Sequence, residues 1–280
     1  MRILRGPCLI FALCFTPLEL VAGPAQSGTP VPITSLDTNH PLQASGTLYL
    51  PAKAVGPAPA IVLVHGTMGI DARGAFYREA ILDEGIAILE VDFKTGIYHS
   101  PQDRPAIDSY LPLAFAALKD LRKRAGIDPS RIGIMGFSMG GGITVRAALE
   151  NHRKAWMRDE KGFAAHAAFY PVCRYINPKV EQSGGLSGAP MIIFYGTEDS
   201  YGEGNYVPEF KKLLLKKFSF DVTTVEYPGA AHGFNRDAAP LSYSDPAAMG
   251  GKGFMAWNPE AASDSRTRVV AFLREKLAGK

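Results

Sequence analysis

Residues Arg131–Gly142 read RIGIMGFSMGGG, and this stretch decides the predicted fold. An apolar run typical of a buried strand comes first, and a segment with helical periodicity begins at Gly140. The two are joined by G-x-S-x-G, centred on Ser138, which is typical of a sharp turn from a strand into a helix. The flanking glycines are needed because side chains there would collide across the turn. The stretch therefore predicts an exposed Ser138 hydroxyl and makes it a candidate nucleophile.

A glycine-rich turn without a chemical role, or a loop that holds a phosphate, would also fit this stretch. No Gly-Lys-Ser or Gly-Lys-Thr follows Gly142, which argues against the phosphate loop. The choice between a catalytic and a purely structural turn depends on the rest of the chain, because a nucleophilic serine needs a base and an acid that orients the base.

Short apolar runs alternate with longer, helix-like segments on both sides of this stretch. The runs that predict buried strands are Ala60–Val64, Ile86–Val91, Arg131–Met135, Met191–Tyr195 and Val222–Tyr227. Strands that alternate with helices predict an α/β fold, with a mostly parallel central sheet and helices on both faces. A length of 280 residues suits one such domain better than two small ones.

His232 is the best candidate for the base among the three histidines that follow Ser138. It lies between glycines, just past the last predicted strand, where a flexible loop can bring its imidazole over the edge of the sheet. His152 lies at a polar helix end and is interpreted as a surface residue. His166 falls within an apolar run and is interpreted as a packed core histidine.

Asp199 is the best candidate for the orienting acid, with Glu198 as the alternative. In this kind of fold the acid comes between the serine and the histidine along the chain. Both carboxylates directly follow the predicted strand Met191–Tyr195. A solvated loop carboxylate would be the ordinary interpretation of either residue if Ser138 and His232 were absent.

Two backbone amides are expected to form an oxyanion hole. One is that of Met139, directly after the nucleophile. The other comes from Thr67 or Met68, in the loop after Ala60–Val64, and the sequence does not choose between them. His65 at the start of this loop is interpreted as a structural residue that holds the loop by hydrogen bonds.

Several of these motifs, in this order, resemble the dienelactone hydrolase family of α/β hydrolases. Along the chain they are His65-Gly66, Arg131–Gly142, Ala168–Pro171, the acid after Met191–Gly196, and Ala230–Phe234. The resemblance covers roughly residues 40 to 280 and implies the α/β-hydrolase fold and hydrolysis of carboxylic esters. The founding members use a cysteine nucleophile where this chain has Ser138, so a dienelactone is not implied as the substrate.

Ester cleavage through Ser138, His232 and Asp199 is thus the predicted function, with a small-molecule ester as the partner. Peptide, thioester or C–C bond hydrolysis on the same three residues is the alternative, and a non-catalytic binding protein with this fold is a further one. No cofactor is expected. No metal is expected either, because the histidines are scattered and no Cys/His spacing is typical of zinc.

Residues that follow the strands are the candidates for substrate binding, because ligands bind beyond the carboxyl ends of parallel strands. Tyr170 and Arg174 follow one strand, and Arg174 is predicted to bind a carboxylate or to pair with a loop acid. Tyr98 and Trp257 are candidate aromatic walls. The segment Leu241–Ala256 is long and glycine-rich and is predicted to form a loop near the mouth of the site.

The N-terminus has the layout of a secretory signal peptide. Arg2 and Arg5 precede the apolar run Cys8–Phe15, and small residues follow at Val21–Gly23. We expect cleavage after Gly23 and export, to the periplasm or out of the cell. Cys173 would then be the only cysteine of the mature chain, and without a nucleophile turn around it we interpret it as a bystander thiol.

The remaining chain is predicted to hold one folded domain. Residues 24–32, rich in proline, glycine and serine, predict an exposed leader, and residues 33–280 the α/β-hydrolase domain. No other apolar stretch is long enough for a membrane helix. The net charge of +3 comes without a block of lysines and arginines, so nothing favours nucleic acid as a partner.

Overall fold

The computed structural model describes residues 27–52, 56–93 and 106–278. The predicted signal peptide and the candidate wall residue Tyr98 lie outside these ranges. Within them, no helix has both the length and the apolar character needed to cross a membrane.

One eight-stranded sheet organises the molecule. Its strands are Thr29–Thr34 (β1), Gln43–Tyr49 (β2), Ala58–Val64 (β3), Ala87–Asp92 (β4), Ile127–Phe137 (β5), His166–Phe169 (β6), Met191–Gly196 (β7) and Thr223–Tyr227 (β8). They lie in the order β1-β2-β4-β3-β5-β6-β7-β8. The pairs from β4 to β8 are parallel, and β1 and β2 add an antiparallel edge. The predicted α/β fold class with a mostly parallel sheet is confirmed.

Seven α-helices accompany the sheet. They are Ala72–Asp83 (α1), Leu111–Arg122 (α2), Met139–Arg146 (α3), Glu150–Met157 (α4), Asn177–Val180 (α5), Glu203–Phe218 (α6) and Pro259–Leu277 (α7), counted over the described ranges. Two of their termini follow elementary capping rules. The Asp71 side chain accepts from the Arg73 amide at the start of α1, and Asn258 caps α7 in the same way, ahead of a proline in the first turn.

The core lies on both faces of the sheet, as alternate residues of β3 show. Val62 and Val64 belong to a buried cluster with residues of α2 and α3. Ile61 and Leu63 belong to a second cluster with residues of α1 and α7. Because successive side chains of a strand point to opposite faces, a strand covered on both sides must be apolar throughout. This is why Ala60–Val64 has no polar residue.

The predicted exposed leader is wrong for residues 29–32, which belong to β1. Val31 and Ile33 are buried, whereas Pro30 and Pro32 point to solvent. A proline cannot donate to a neighbouring strand, so it is tolerated on an edge strand. The composition of the segment concealed the alternation of Val31 and Ile33, which is what places it in the sheet.

The segment Leu241–Met255, named here the rim hairpin, stands apart from the main sheet. Leu241–Ser244 (β9) and Lys252–Met255 (β10) pair with each other in antiparallel register. The Met249 amide donates to the Ser200 carbonyl oxygen over 2.8 Å, and the Phe254 amide donates to the Ser200 hydroxyl over 3.0 Å. The rim hairpin therefore lies directly beside the loop that follows β7.

Candidate active site

Ser138 lies at a strained turn between β5 and α3. Its φ of 52° and ψ of −112° are unfavourable for a residue with a side chain, and its carbonyl oxygen accepts from the Gly142 amide over 2.8 Å. A Cβ at Gly136 would collide with the Gly140 carbonyl, across the turn as the sequence predicted. A Cβ at Gly140 would instead strike the Val64 carbonyl oxygen, in β3. Gly140 is thus needed to let α3 lie against the sheet.

Three predicted residues come together at this turn. His232 Nε2 lies 2.9 Å from Ser138 Oγ, and His232 Nδ1 lies 2.8 Å from Asp199 Oδ2. His232 has no exposed surface, and Asp199 and Ser138 are 5% and 8% exposed. With Nδ1–H donating to the carboxylate, Nε2 carries the lone pair that accepts the Ser138 proton.

Asp199, not Glu198, is the acid that the structure brings to His232. Its second oxygen, Oδ1, accepts from the Tyr201 amide over 2.8 Å, which fixes the plane of the carboxylate. Glu198 is adjacent in sequence, but its side chain is exposed. The turn that follows β7 at Gly196 therefore buries the side chain of one acid and exposes that of the other.

The loop after β3 adjoins the nucleophile turn. A Cβ at Gly66 would lie 3.5 Å from Ser138 Cβ. The Gly69 amide donates to the Gly66 carbonyl over 3.1 Å and closes a turn with Thr67 and Met68 at its tip. The first amide of α3 is that of Met139, next to Ser138. The three predicted oxyanion amides therefore belong to the two segments that meet at Ser138, and their role stays a prediction.

His65 holds this loop, as predicted. Its Nδ1 lies 2.6 Å from the Gly66 carbonyl oxygen, and its Nε2 accepts from the Phe93 amide over 2.9 Å. A ring that donates through Nδ1 and accepts at Nε2 satisfies both contacts. Both nitrogens are used by the backbone, which leaves neither for a reacting proton.

His166 is buried in the core, as the sequence indicated. Its Nδ1 lies 2.9 Å from the Thr144 carbonyl oxygen. Complete burial lowers the pKa of His166 to about 4, because the charged ring has no solvation there. His166 is therefore neutral near pH 7 and packs as part of the core.

Two tyrosines face the His232 ring. The Tyr170 ring centroid lies 4.7 Å from that of His232 in an edge-to-face arrangement, and the Tyr201 centroid lies 4.4 Å away. Tyr201 donates its hydroxyl to Asp245 Oδ2 over 2.7 Å. Burial, followed by the hydrogen bond with Tyr243, raises the pKa of Tyr201 well above its usual range. Sequence reasoning missed Tyr201, and its only signal was a position two residues after Asp199.

Tyr170 was predicted among the substrate-binding residues, but the structure buries its side chain. The residue follows β6 with a φ of 38°, and its side chain is fully buried. Its hydroxyl contacts Arg73 and Asn235 in the interior. The rule that residues after a strand line the site gives a position along the chain, but the backbone turn decides where the side chain goes.

Arg174 and Trp257 are both half-buried. Arg174 donates to the Tyr175 hydroxyl over 2.6 Å and to the Met249 sulfur over 2.8 Å, and its guanidinium lies over the Tyr175 ring. These contacts join Arg174 to the rim hairpin. Trp257 packs edge-to-face on Phe76 of α1, with centroids 6.4 Å apart. Binding of substrate by either residue stays a prediction.

Cys173 has the character of an inert thiol. It is fully buried, and burial raises the pKa of Cys173 well above its usual range, so the thiolate is disfavoured. Across the described ranges, no cluster of three or more His, Cys, Asp or Glu side chains could hold a metal ion.

The chain resembles one protein family over most of its length and individual curated proteins over part of its length. A model of the dienelactone hydrolase family matches residues 44–277. The quorum-quenching protein AidA of Acinetobacter baumannii is 31% identical over 152 residues, which cover 51% of this chain and 50% of that protein. Cutinase 1 of Thermobifida cellulosilytica is 34% identical over 111 residues, 38% of this chain and 39% of that protein. The chain thus spans about half the length, or less, of these curated relatives.

Two solved structures share the fold. Thermogutta terrifontis esterase 2 phosphorylated by paraoxon superposes with a TM-score of 0.65 and 20% identity, over 91% of this chain and 96% of that one. A dienelactone hydrolase-like promiscuous phosphotriesterase from metagenomic libraries superposes with a TM-score of 0.66 and 16% identity, over 89% and 99%. At these identities the likeness establishes the α/β-hydrolase architecture.

Proposed function

The chain belongs to the dienelactone hydrolase family, as its motifs predicted, and from this premise we propose that it is a serine hydrolase of carboxylic esters. The observation that carries the proposal is the series of hydrogen bonds from Ser138 through His232 to Asp199. A nucleophile, a base and an orienting acid in this arrangement are what acyl transfer to water requires.

Acylation begins with attack of Ser138 Oγ on the ester carbonyl carbon, while His232 Nε2 takes the hydroxyl proton. Asp199 stabilises the resulting imidazolium and keeps the ring in the required orientation. The negative charge on the carbonyl oxygen is stabilised by the Met139 amide, the positive end of α3 and an amide of Thr67 or Met68. His232 then gives its proton to the leaving alcohol oxygen, and an acyl-enzyme remains.

Deacylation repeats these steps with water as the nucleophile. His232 takes a proton from water as the water oxygen attacks the acyl carbon. The tetrahedral intermediate collapses, Ser138 Oγ leaves with the proton from His232, and a carboxylic acid is released. All proton transfers are made by residues of this chain.

The relatives support an ester substrate. Cutinases are among the curated proteins that match, and esterases are among the structural neighbours. A non-catalytic binding protein would have no need to keep Ser138 and His232 within 2.9 Å of each other. Cleavage of peptides, thioesters or C–C bonds on the same residues is the alternative that a panel of substrates separates.

The test is intact mass after treatment with a fluorophosphonate probe, which reacts with activated serines. We expect one adduct on the wild type and none on Ser138→Ala. The matched control is Ser130→Ala, at the other end of β5, where the serine is exposed and bonds only Asp128 within the described residues. Absence of the adduct on folded wild-type protein, or its persistence on Ser138→Ala, would exclude the proposal.

We further propose export with cleavage after Gly23. The same mass spectra, recorded on protein recovered from the periplasm or the medium of an expressing cell, test this step. A mass that lacks residues 1–23 supports it. A full-length mass contradicts it without affecting the assignment of Ser138.

A further inference from the structure

Beneath the site, five side chains form a continuous series of hydrogen bonds that we name the buried polar network. Its members are Arg73, Tyr170, Asn235, Tyr77 and Ser265. All five are buried. None belongs to the proposed triad, and burial of so many polar groups is costly unless every contact is made.

The series has one direction. The Arg73 guanidinium can only donate, and it donates to the Tyr170 hydroxyl over 3.1 Å. Tyr170 therefore donates to the Asn235 side-chain oxygen, while the Asn235 amide donates to the Tyr77 hydroxyl over 2.8 Å. Ser265 closes the series by donating to the Ala262 carbonyl over 2.9 Å. Burial raises the pKa of Tyr170 to about 12, so its hydroxyl keeps the proton that it donates.

The first member, Arg73, lies where the loop after β3 meets the nucleophile turn at Ser138. This loop, which carries the predicted oxyanion amides of Thr67 and Met68, is named here the oxyanion loop. Its guanidinium pairs with Asp71, the residue that caps α1 directly after this loop. A Cβ at Gly66 would lie 3.4 Å from the guanidinium. The guanidinium also lies 5.4 Å from the ring centroid of Phe137, the residue before Ser138. Arg73 thus contacts both segments that are expected to stabilise the oxyanion.

One member of the network contacts the base, and another lies in the loop that carries the base. The Tyr170 ring packs against His232, and Asn235 is three residues after His232 in the same loop. This loop also contains Gly233, whose φ of 65° is one that residues with a side chain rarely adopt. The Tyr170 hydroxyl is the atom that joins the oxyanion side, through Arg73, to the base side, through Asn235.

We propose that Tyr170 is a positioning residue, which with Arg73 and Asn235 fixes His232 relative to Ser138 and the oxyanion loop. The inference rests on the proposed hydrolase function. Removing the hydroxyl leaves the Arg73 donor and the Asn235 oxygen buried without this shared partner, and relief of that loss requires one of the loops to move. A displacement of about 1 Å can reduce a reaction rate by about 100-fold.

The decisive variant is Tyr170→Phe, which removes the hydroxyl and keeps the ring against His232. We expect kcat for a chromogenic ester to fall by about 10- to 100-fold, with KM within about 2-fold of the wild type. The rate constant for fluorophosphonate labelling of Ser138 should fall by the same factor. The matched control is Tyr195→Phe, a buried tyrosine of β7 whose hydroxyl donates to Glu226 over 2.7 Å, outside the network. Its kcat should be unchanged.

A purely structural role makes a different prediction. Tyr170→Phe would then lower Tm but leave kcat and the labelling rate of the folded protein unchanged, and this result would overturn the proposal. Asn235→Ala gives the same test from the other end of the contact if Tyr170→Phe does not fold. In the double variant Tyr170→Phe/Asn235→Ala, the loss of kcat should equal that of one single variant. Both substitutions remove the same hydrogen bond, from the Tyr170 hydroxyl to the Asn235 side chain.

The outcome for the wild type separates this inference from the function on which it rests. If the wild type is not labelled at Ser138, both fail together. If the wild type is labelled and Tyr170→Phe is labelled at the same rate, only the positioning role fails.

Discussion

The two tyrosines that contact the His232 ring belong to regions that are built differently. Tyr170 belongs to the buried polar network, all of whose members are buried. Tyr201 is bonded to Asp245 and Tyr243 of the rim hairpin, where Met249 and Phe254 are exposed. A buried polar group that loses its partner has no substitute, whereas the partly exposed Tyr243 and Asp245 can turn to water. The network is therefore suited to fixing geometry, whereas the contacts of the rim hairpin can be exchanged for contacts with water.

The largest expected effect concerns Asp199, which holds the ring that both regions contact. Asp199→Asn should reduce kcat by about 10⁴-fold, because the amide favours the wrong tautomer of His232. The control is Glu203→Gln, a fully buried carboxyl at the start of α6 that accepts from the Cys173 amide over 2.8 Å. Burial, and then the negative charge of Asp199, raises the pKa of Glu203 well above its usual range. A glutamine keeps a side-chain oxygen for the Cys173 amide, so Glu203→Gln should leave kcat nearly unchanged.

Steady-state kinetics of the two variants side by side is the measurement. Equal losses of kcat would contradict the assignment of Asp199 as the acid. They would show instead that a change to either buried carboxyl disables the site, and the effects of the Tyr170 and Tyr201 variants could then not be read as effects on the base.

The next effect is on the free energy of unfolding, and it should be larger at Gly140 in α3 than at Gly250 in the rim hairpin. Gly140→Ala places a methyl group against the Val64 and His65 carbonyl oxygens, so it should lower the free energy of unfolding by at least about 2 kcal/mol. Gly250→Ala in the rim hairpin, where φ is 66° and no atom lies within 4 Å of the added carbon, should cost only about 1 kcal/mol of backbone strain.

Urea unfolding at equilibrium checks this pair. Comparable losses at the two glycines would mean that the rim hairpin is packed as tightly as the contact between α3 and β3. The rim hairpin could then not be distinguished from the tightly packed part of the site.

The smallest expected effect is that of Tyr201→Phe. The ring stays against His232, while the hydroxyl contacts with Asp245 and Tyr243 are lost, each worth about 1 kcal/mol or less in a partly exposed setting. We expect KM to rise by a few-fold and kcat to stay within about 2-fold of the wild type. This is the reverse of the pattern expected for Tyr170→Phe. A fall in kcat as large as that of Tyr170→Phe would show that both tyrosines position the base.

The sequence predicted the parts of this protein that depend on local chemistry. The glycines around Ser138 predicted the turn, because no other residue fits the close approach of backbone at those positions. The uniformly apolar run of β3 predicted a strand buried on both faces. The order of Ser138, Asp199 and His232 along the chain predicted which side chains would meet.

Local patterns were misleading where a distant contact decides the outcome. The proline-rich segment before residue 33 is a strand because β2 offers it an edge to pair with. Tyr170 was expected to line the substrate site, and its hydroxyl is held in the interior by Arg73, 97 positions earlier, and Asn235, 65 positions later. Tyr201 was not predicted to contact His232, because its position depends on hydrogen bonds to Tyr243 and Asp245, which lie more than 40 positions later in the chain.

By itself, then, the sequence determined the sheet, the nucleophile turn and the identity of the three residues that meet there, since these follow from sterics and from apolar periodicity within short segments. Only the tertiary structure decided how His232 is held between Tyr170 and Tyr201. That arrangement depends on hydrogen bonds between residues far apart in the chain, and their distances are set by the packing of the whole domain.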